Sequence, residues 1–175
     1  MTSPEAPSTP QYTIRQLDQP GDLAWVLLTH KIFSDSFEDS RTYERLVAHA
    51  IEGYASVEER EREGAWIAEL NGRRVGCIFC MPGEEGEAAL LRLLIVTPDA
   101  QRLGIGRALV DTGVDFAQTR KATHVEVWSA REFTAAAGFL QSAGFSLLSQ
   151  EIDPRFERDV VGQRWARPLE AFSTR

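Results

Sequence analysis

The stretch that decides the fold runs from Leu93 to Arg107 and reads LLIVTPDAQRLGIGR. Its first residues are apolar and predict a buried strand, after which Gly104 and Gly106 open a helix. Glycines at this place let the backbone approach a ligand without interference from a Cβ atom. The unpaired amides of a helix N-terminus carry partial positive charge, which suits a pyrophosphate. Residues 101–107 are therefore predicted to bind phosphate groups. The guanidinium groups of Arg102 and Arg107 would add charge-assisted contacts.

Two other phosphate-binding loops fit this stretch less well. A Walker loop requires Gly-Lys-Ser/Thr, whereas Gly106 is followed by Arg107. A Rossmann fingerprint needs a third glycine where this chain has Leu109, and it follows the first strand of a βαβ unit rather than the fourth. The glycines could also form nothing more than a tight turn. The flanking Gln101 and Arg102 and the buried strand favour the phosphate site over that alternative.

Apolar residues at strand and helix spacing divide the rest of the chain into elements. The dipeptide Asn71-Gly72 supplies two positive-φ residues and predicts a tight hairpin turn. The element order indicates a single mixed α/β domain over residues 11–170, and residues 1–10, rich in Ser, Thr and Pro, are predicted to be a tail. The predicted strands are 12–17, 65–68, 75–79, 88–96, 124–129, 146–150 and 160–167, and the helices contain 23–30, 43–54, 109–116 and 134–143.

The composition limits the class of partner. The chain has 175 residues with 19 Lys+Arg and 26 Asp+Glu, which give a net charge of −7 and a pI near 5.0. Binding to nucleic acid draws on phosphate neutralisation by a basic face, so we expect no nucleic-acid partner. An acidic protein suits a cationic small molecule better. Neither a membrane span nor a signal peptide is expected, because no apolar run reaches about 18 residues and the N-terminal residues lack an apolar segment.

The two cysteines, Cys77 and Cys80, lie in one apolar strand. Residues three apart on a strand point to opposite faces, so we expect no disulfide between them. One C-x-x-C without a second pair or a neighbouring His is weak evidence for zinc or redox chemistry, so no metal site is expected. These features favour a reduced, cytoplasmic setting.

The pattern Gln101-Arg102-x-Gly104-x-Gly106 resembles motif A of the GNAT superfamily of acetyl-CoA-dependent N-acetyltransferases. The Ala-Gly-Phe at 143–145 is similar to the end of motif B. A closer resemblance is to the acetyltransferase domain fused to MarR-type regulators, and it covers about residues 11–170. No DNA-binding segment precedes residue 11, so we do not expect a transcription-factor function. The stretches that carry this resemblance are GDLAWV at 21–26, WIAE at 66–69, LRLLIV at 91–96, LGIGRALV at 103–110 and VVGQRW at 160–165.

The resemblance implies a GNAT-like α/β domain with a mixed, splayed sheet flanked by helices. A V-shaped opening is expected between the strand ending at Val96 and the strand ending near Ser129. The family's chemistry is acetyl transfer from acetyl-CoA to an amine of a small molecule or amino acid by direct attack in a ternary complex, with a backbone amide near Val96 polarising the acetyl carbonyl. The residues implied to bind acetyl-CoA are Leu94, Ile95, Val96, Gln101, Arg102, Leu103, Gly104, Ile105, Gly106 and Arg107.

The chain departs from the family at the expected catalytic positions. The places of the usual Asn and Tyr hold Phe133 and Leu140, and the place of a central-strand Glu holds Leu90. A thiolate of pKa about 8.5 leaves without obligatory protonation, so these losses do not exclude catalysis. They leave open a non-catalytic acyl-CoA sensor of the same fold. A different nucleotide binder with a similar turn also remains open.

Other polar residues are candidates for the acceptor side. Glu126, in the middle of a strand near the opening, is a candidate general base. The resemblance places Glu38 and Tyr43 where substrates enter, and Ser129 ends the strand beside the opening. Two histidines, His30 and His124, are expected to be ordinary helix and strand residues. The four tryptophans occupy apolar positions, so a core role is expected for Trp25, Trp66, Trp128 and Trp165. The resemblance also suggests a homodimer through the last strands.

Overall fold

The computed structural model describes residues 11–55, 61–83 and 87–170. The element order agrees with the predicted one throughout, with ends that differ by a few residues. The predicted tail, residues 1–10, lies outside the described residues. The elements are β1 (Tyr12–Gln16), α1 (Asp22–Ser34), α2 (Ser40–Ala55), β2 (Gly64–Leu70), β3 (Arg73–Pro82), β4 (Ala88–Val96), a 3₁₀ turn (Pro98–Ala100), α3 (Ile105–Thr119), β5 (His124–Ala130), α4 (Thr134–Ser142), β6 (Ser146–Ile152) and β7 (Val161–Pro168).

The seven strands form one sheet in the order β1-β2-β3-β4-β5-β7-β6. Only the central pair, β4 and β5, is parallel among the described strands, and the other neighbours are antiparallel. The hairpin between β2 and β3 turns at Asn71 and Gly72, whose φ angles are 53° and 75°. This confirms the turn predicted from the Asn-Gly dipeptide, because both residues adopt the left-handed conformation that such a turn requires.

The sheet opens between β4 and β5. The two strands pair only over Ala88–Leu90 and His124–Glu126, and they separate beyond those residues. The register between β3 and β4 gains one residue on β4 near Leu93, which has a φ of 56°. A bulge of this kind bends a strand and increases its local twist. The predicted V-shaped opening is therefore present, and we refer to the space between residues 91–96 and 127–130 as the wedge.

Two apolar cores cover the two faces of the sheet. One core packs α3 and α4 against the sheet and contains the buried Trp66 and Trp165. The other packs α1 and α2 against β2 and β3. Trp25 is half-buried against this second core. The predicted core role is wrong for Trp128, which is half-buried and lines a surface pocket described below.

A buried ion-pair cluster fixes the start of α1. Asp22 is fully buried and accepts hydrogen bonds from Arg15 at 2.8 and 2.9 Å and from Arg74 at 2.7 Å. Burial alone would raise the pKa of Asp22, but the bonds from these two guanidinium groups outweigh it and hold the pKa far below its ordinary value. The cluster joins α1 to β1 and β3.

Among the helices of residues 11–55, 61–83 and 87–170, none has the length and apolar character that a membrane span requires.

Candidate functional site

The turn between β4 and α3 leaves the helix N-terminus open. Arg102 and Gly104 have φ angles of 68° and 82°, which turn the chain from the 3₁₀ turn into α3. No side chain caps the first turn of α3, and no acidic residue lies in it. The first backbone amides of a helix have no partner within the helix and carry its positive dipole end. This geometry suits an anion such as a pyrophosphate.

The two glycines of this turn have different roles. Gly104 is the N-cap of α3 and takes a left-handed conformation that other residues rarely adopt. Gly106 lies within the helix, outside the left-handed region. A Cβ atom at Gly106 would lie 3.6 Å from the Phe139 ring and 3.7 Å from Val96 Cγ2. It would therefore point into the space between α4 and the end of β4, which the resemblance assigns to the cofactor.

The side chains of this segment mostly brace the turn. Gln101 donates from Nε2 to the Val96 carbonyl at 3.1 Å, which ties the turn to the end of β4. Arg107 donates to Asp111 at 3.2 Å and to the Ser142 carbonyl at 2.9 Å, which joins α3 to the end of α4. Arg102 is exposed. The surface offered to an anion is consequently backbone, with Arg102 available at its edge.

The bulge in β4 is held by buried side chains. The Leu93 carbonyl accepts hydrogen bonds from Cys77 Sγ at 3.1 Å and from His30 Nε2 at 3.2 Å. Because a carbonyl only accepts, Nε2 carries the proton, and His30 Nδ1 accepts from the Tyr43 hydroxyl at 3.0 Å. Burial lowers the pKa of His30 to about 4, so the ring is neutral at pH 7. His30 thus positions the wedge, which its place in a helix did not predict.

Burial also keeps the other two partners protonated. It raises the pKa of the Cys77 thiol and of the Tyr43 phenol above their ordinary values. Both groups therefore remain hydrogen-bond donors near neutral pH. Cys77 and Cys80 are both free thiols, as the sequence predicted. The bulge is in this way held by a network of neutral donors and acceptors rather than by ions.

A pocket opens on the α1–α2 face of the sheet, next to this network. Four separate segments form it: the connection from α1 to α2 together with the first turn of α2, the end of β5, the turn before α4 and the connection from β6 to β7. The enclosed space is small, about 10 Å³, and the rest of the recess is open to solvent. The residues lining it are Phe37, Asp39, Tyr43, Trp128, Ala130, Glu132, Phe133, Phe156, Arg158 and Val160. We refer to it as the aromatic pocket because five of these residues carry aromatic rings.

An arginine joins three of those segments. Arg158 donates to Glu38 at 3.0 Å and to both oxygens of Glu132 at 3.1 Å. Of the predicted substrate contacts, Tyr43 lines this pocket and Glu38 is exposed beside it, and their binding role stays a prediction. The other charged residues and the other aromatic rings of this pocket were not predicted as site residues. They lie far apart in the chain, and no local pattern connects them.

Comparison with known proteins agrees with this architecture. Residues 26–145 match the model of the acetyltransferase (GNAT) family. The chain belongs to that family. A protein of Methanocaldococcus jannaschii described as an N-acetyltransferase is 32% identical over 92 residues, which are 50% of this chain and 41% of the relative. The chain spans about two-fifths of the length of the curated relatives that it matches.

Solved structures share the fold of this GNAT domain. A ribosomal-protein-alanine N-acetyltransferase from Brucella melitensis superposes with a TM-score of 0.71 at 20% identity, covering 90% of this chain and 99% of that one. A Bacillus anthracis protein described as a streptothricin acetyltransferase, solved in complex with acetyl coenzyme A, gives a TM-score of 0.59 at 18% identity over 62% of this chain and 64% of that one. At these identities the likeness concerns the fold alone.

The candidate base of this GNAT domain is engaged in ion pairs. Glu126 accepts hydrogen bonds from Arg164 at 3.0 and 3.1 Å and lies 3.1 Å from His124 Nε2. Partial burial would raise its pKa, but the bonds from Arg164 and His124 lower it below the ordinary value. A carboxylate with a lowered pKa is a weaker base. The arrangement favours a bracing role between β5 and β7, and the catalytic role stays a prediction.

Strand alternation and packing determine where three further candidate residues lie. Ser129 is buried and donates weakly to the Ala130 carbonyl at 3.4 Å, and it lies on the face opposite Trp128. Leu140 is 2% exposed and packs in the core beneath α4. Phe133 lies in the wall of the aromatic pocket, 4.6 Å from the Phe37 ring centre. Phe133, at the place where the resemblance expects an Asn, therefore contributes an aromatic wall.

Proposed function

We propose that this GNAT domain is an N-acetyltransferase that moves the acetyl group of acetyl-CoA to an amine of a small molecule or amino acid, by direct attack in a ternary complex. The observation that carries the proposal is the uncapped N-terminus of α3, placed beside a strand that separates from its parallel neighbour. Membership of the acetyltransferase family supports it. So does the acetyl coenzyme A bound in the Bacillus anthracis structure of similar fold.

The backbone of this chain fits such a cosubstrate. Amides at the start of α3, from Gly104 to Arg107, would bind the pyrophosphate, and the absence of an acidic side chain in that turn favours an anion. Beyond Leu90, the edge of β4 that faces the wedge has no ladder to β5, so residues 94–96 offer backbone groups to a pantetheine arm. An amide near Val96 would polarise the thioester carbonyl, which the cosubstrate supplies as the electrophile.

The attacking amine and the leaving thiolate differ in whether they need a proton-transfer group. An amine of pKa about 10 costs roughly 4 kcal/mol to deprotonate at pH 7. We propose that its proton leaves toward the carboxylates at the mouth of the aromatic pocket, where Asp39 and Glu132 lie. The thiolate, with a pKa of about 8.5, leaves without an acid. This agrees with the apolar Leu140 at the position where other family members carry Tyr.

A non-catalytic acyl-CoA sensor is the second candidate, favoured by Phe133 and Leu140. Release of the free thiol from acetyl-CoA, measured with a panel of amines, separates the two. Amine-dependent release is expected for the enzyme, and binding of acetyl-CoA without release would show a sensor. Calorimetry that compares acetyl-CoA with ATP and NAD tests whether the chain is a binder of a different nucleotide. Tighter binding of ATP or NAD would contradict acetyl-CoA as the cosubstrate.

We propose two further properties that have narrower support. The domain extends over residues 11–170, from β1 to β7, and its sequence stretches resemble acetyltransferase domains fused to MarR-type regulators. A homodimer through the last strands is supported by three exposed apolar residues on the edge strand β6: Leu147, Leu148 and Ile152. Analytical ultracentrifugation would show a dimer that a charged substitution at Leu148 dissociates.

A further inference from the structure

We propose that Cys77 is a positioning residue for the acetyl transfer: its buried thiol orients the peptide between Leu93 and Leu94 so that the Leu94 amide faces the wedge. This inference rests on the proposed function, in which a backbone amide near Val96 polarises the thioester carbonyl. Three observations support it: the direction of the Leu93 carbonyl, the alternation of backbone groups along β4 and the unfavourable conformation of Leu93 itself.

The Leu93 carbonyl points toward two buried donors on the α1–α2 side of the sheet. It accepts hydrogen bonds from Cys77 Sγ at 3.1 Å and from His30 Nε2 at 3.2 Å. Cys77 is fully buried in the core that packs α1 and α2 against β2 and β3. The peptide bonds of the described segments are trans, and in a trans peptide the C=O and the following N–H point in opposite directions. The Leu94 N–H therefore points away from Cys77 and His30.

The alternation of backbone groups along β4 gives the same direction independently. Thr97 donates its backbone N–H to the Val75 carbonyl of β3 at 2.8 Å. Backbone groups point alternately to the two edges of a strand, so the N–H groups of Leu94 and Val96 face away from β3. At this level of the sheet, β4 has no ladder to β5. The Leu94 and Val96 amides therefore lie along the open edge of β4, in the wedge.

Leu93 depends on its two donors because its own conformation is unfavourable. Its φ of 56° lies in the left-handed region, which leucine rarely adopts. A carbonyl oxygen accepts two hydrogen bonds, and here Cys77 supplies one from the neighbouring strand β3 and His30 the other from α1. Without the thiol, the peptide is held from α1 alone and is free to tilt. Because a hydrogen bond weakens steeply with misalignment, such a tilt would reduce the polarisation of the acetyl carbonyl by the Leu94 amide.

The backbone carries more of this task because the side chains at the positions that the resemblance makes catalytic are apolar. Leu90, Phe133 and Leu140 take the places of a Glu, an Asn and a Tyr. None of these three side chains donates or accepts a hydrogen bond. Cys77 does not replace them as a reacting group, because burial raises the pKa of its thiol and keeps it protonated. Its contribution passes through the Leu93–Leu94 peptide.

Infrared spectroscopy of bound acetyl-CoA, isotopically labelled at the acetyl carbonyl carbon, tests the orientation of the amide without any acceptor. A hydrogen bond to a carbonyl oxygen lowers its stretching frequency, so the wild type should shift the thioester band below its position in solution. Cys77→Ala should remove at least about half of that shift, because the donor is misaligned. Cys77→Ser keeps a donor and should hold the band near its wild-type position. An equal band in the wild type and Cys77→Ala, or no shift in the wild type, overturns the inference.

Kinetics separate a positioning role from a purely structural one. Hydroxylamine serves as the nucleophile, because it is small and uncharged near neutral pH, and its reaction with acetyl-CoA gives acetohydroxamate and the free CoA thiol. Cys77→Ala should lower the apparent kcat by about tenfold, a fraction of the loss that removal of an oxyanion donor causes, and change the KM for acetyl-CoA by less than about twofold. Cys77→Ser should recover the apparent kcat to within about threefold of the wild type.

Stability should rank these variants differently. Cys77→Ser should lower the midpoint of urea denaturation at least as much as Cys77→Ala does, because a hydroxyl costs more to bury than a sulfur. A purely structural cysteine would leave the kcat of the folded fraction unchanged in both variants, and that result overturns the inference. If Cys77→Ala does not fold, Cys77→Val fills the space of the sulfur without a donor and should show the same loss of kcat.

Cys80→Ala is the matched control. Cys80 is also a buried thiol of β3, but it packs in the core on the opposite face of the sheet, with α3 and α4. This variant should lose stability and keep both the wild-type kcat and the wild-type position of the thioester band. If Cys80→Ala lowers kcat as much as Cys77→Ala, the effect is a general loosening of the sheet and the inference is overturned.

The two readouts separate this inference from the proposed function. If the thioester band responds to Cys77→Ala as expected but no amine in a broad panel, hydroxylamine included, is acetylated, the proposed transfer fails and the positioning of the amide stands. If amines are acetylated while Cys77→Ala leaves both the band and kcat unchanged, the transfer stands and the inference is overturned. If acetyl-CoA does not bind to the chain, both are overturned.

Discussion

The two sides of the wedge are built from different parts of the chain and from different kinds of atoms. The side proposed for the cosubstrate is backbone, drawn from the continuous segment 93–107. The side proposed for the acceptor is a set of side chains from four segments, in which the ion pair of Arg158 with Glu38 spans 120 residues of sequence. A backbone site depends on local conformation and space, so few substitutions affect it and those have large effects.

The acceptor side is expected to respond in a graded way. Each wall of the aromatic pocket is a separate side chain, and the loss of one ring or carboxylate leaves the others in place. The two sides can therefore be changed independently: substitutions in the turn should alter cosubstrate binding, and substitutions in the pocket should alter the choice of amine.

Gly106→Glu should weaken acetyl-CoA binding by roughly a hundredfold or more, because a few amide contacts to a charged group contribute about 1.5–3 kcal/mol each. The new side chain would enter the space toward Val96 and Phe139 and place a negative charge at the helix N-terminus. Calorimetry measures the affinity and a melting curve checks folding. Gly53→Glu, on the exposed surface of α2, is the matched control. Unchanged affinity in a folded Gly106→Glu protein would mean that the glycines form only a turn.

His30→Ala should lower the free energy of unfolding by about 2 kcal/mol, because it leaves the Leu93 carbonyl and the Tyr43 hydroxyl without that partner. The bulge would be less well fixed. The factor by which kcat falls should therefore be larger than the factor by which the KM for acetyl-CoA changes. Urea denaturation and steady-state kinetics measure the two effects. His49→Ala, at an exposed position of α2, should change neither. A purely structural histidine would alter stability and leave the kcat of the folded fraction intact.

The contrast between the two sides explains how much the sequence could predict. The segment 93–107 lies in one local pattern of apolar residues and glycines, and Asn71-Gly72 similarly specifies its own turn. The left-handed conformation of Leu93 has no such signal, since leucine rarely adopts it and the bond that holds it comes from His30, 63 residues away. The prediction of a core role for Trp128 is wrong because strand alternation does not show which part of a sheet face is left uncovered.

Stability should depend on pH through His30. Its pKa is lowered to about 4 by burial, below the ordinary value of 6.5, so the unfolded chain binds a proton that the folded chain does not. This contribution is complete above pH 6.5 and is lost as the pH falls from there toward 4. Between pH 7.5 and 5.5 the wild type should lose about 1.4 kcal/mol more than His30→Ala. Equal losses in urea titrations of the two proteins would show that His30 titrates normally.

Gly104→Ala should destabilise the chain by about 1 kcal/mol, because Gly104 has a φ of 82° and alanine is strained there. Gly106→Ala should be close to neutral for folding, since its Cβ would make ordinary contacts at 3.6 Å. The midpoints of urea denaturation compare the two variants directly. The same loss in both would contradict the different roles assigned to the two glycines.

Glu126→Gln is expected to have the smallest effect on the reaction, less than about threefold in kcat, because the carboxylate is already engaged by Arg164 and His124. The pH–rate profile should keep its acid limb. A loss of kcat of a hundredfold or more, with that limb abolished, would instead identify Glu126 as the general base.

The most direct measurement is a crystal structure of the protein with acetyl-CoA bound. We expect the pyrophosphate against the amides of residues 104–107, the pantetheine arm along residues 94–96 and the acetyl group in the wedge, facing the aromatic pocket. Density for the cosubstrate at another place, or within the aromatic pocket itself, would contradict the division of the wedge into a backbone side for acetyl-CoA and a side-chain side for the amine.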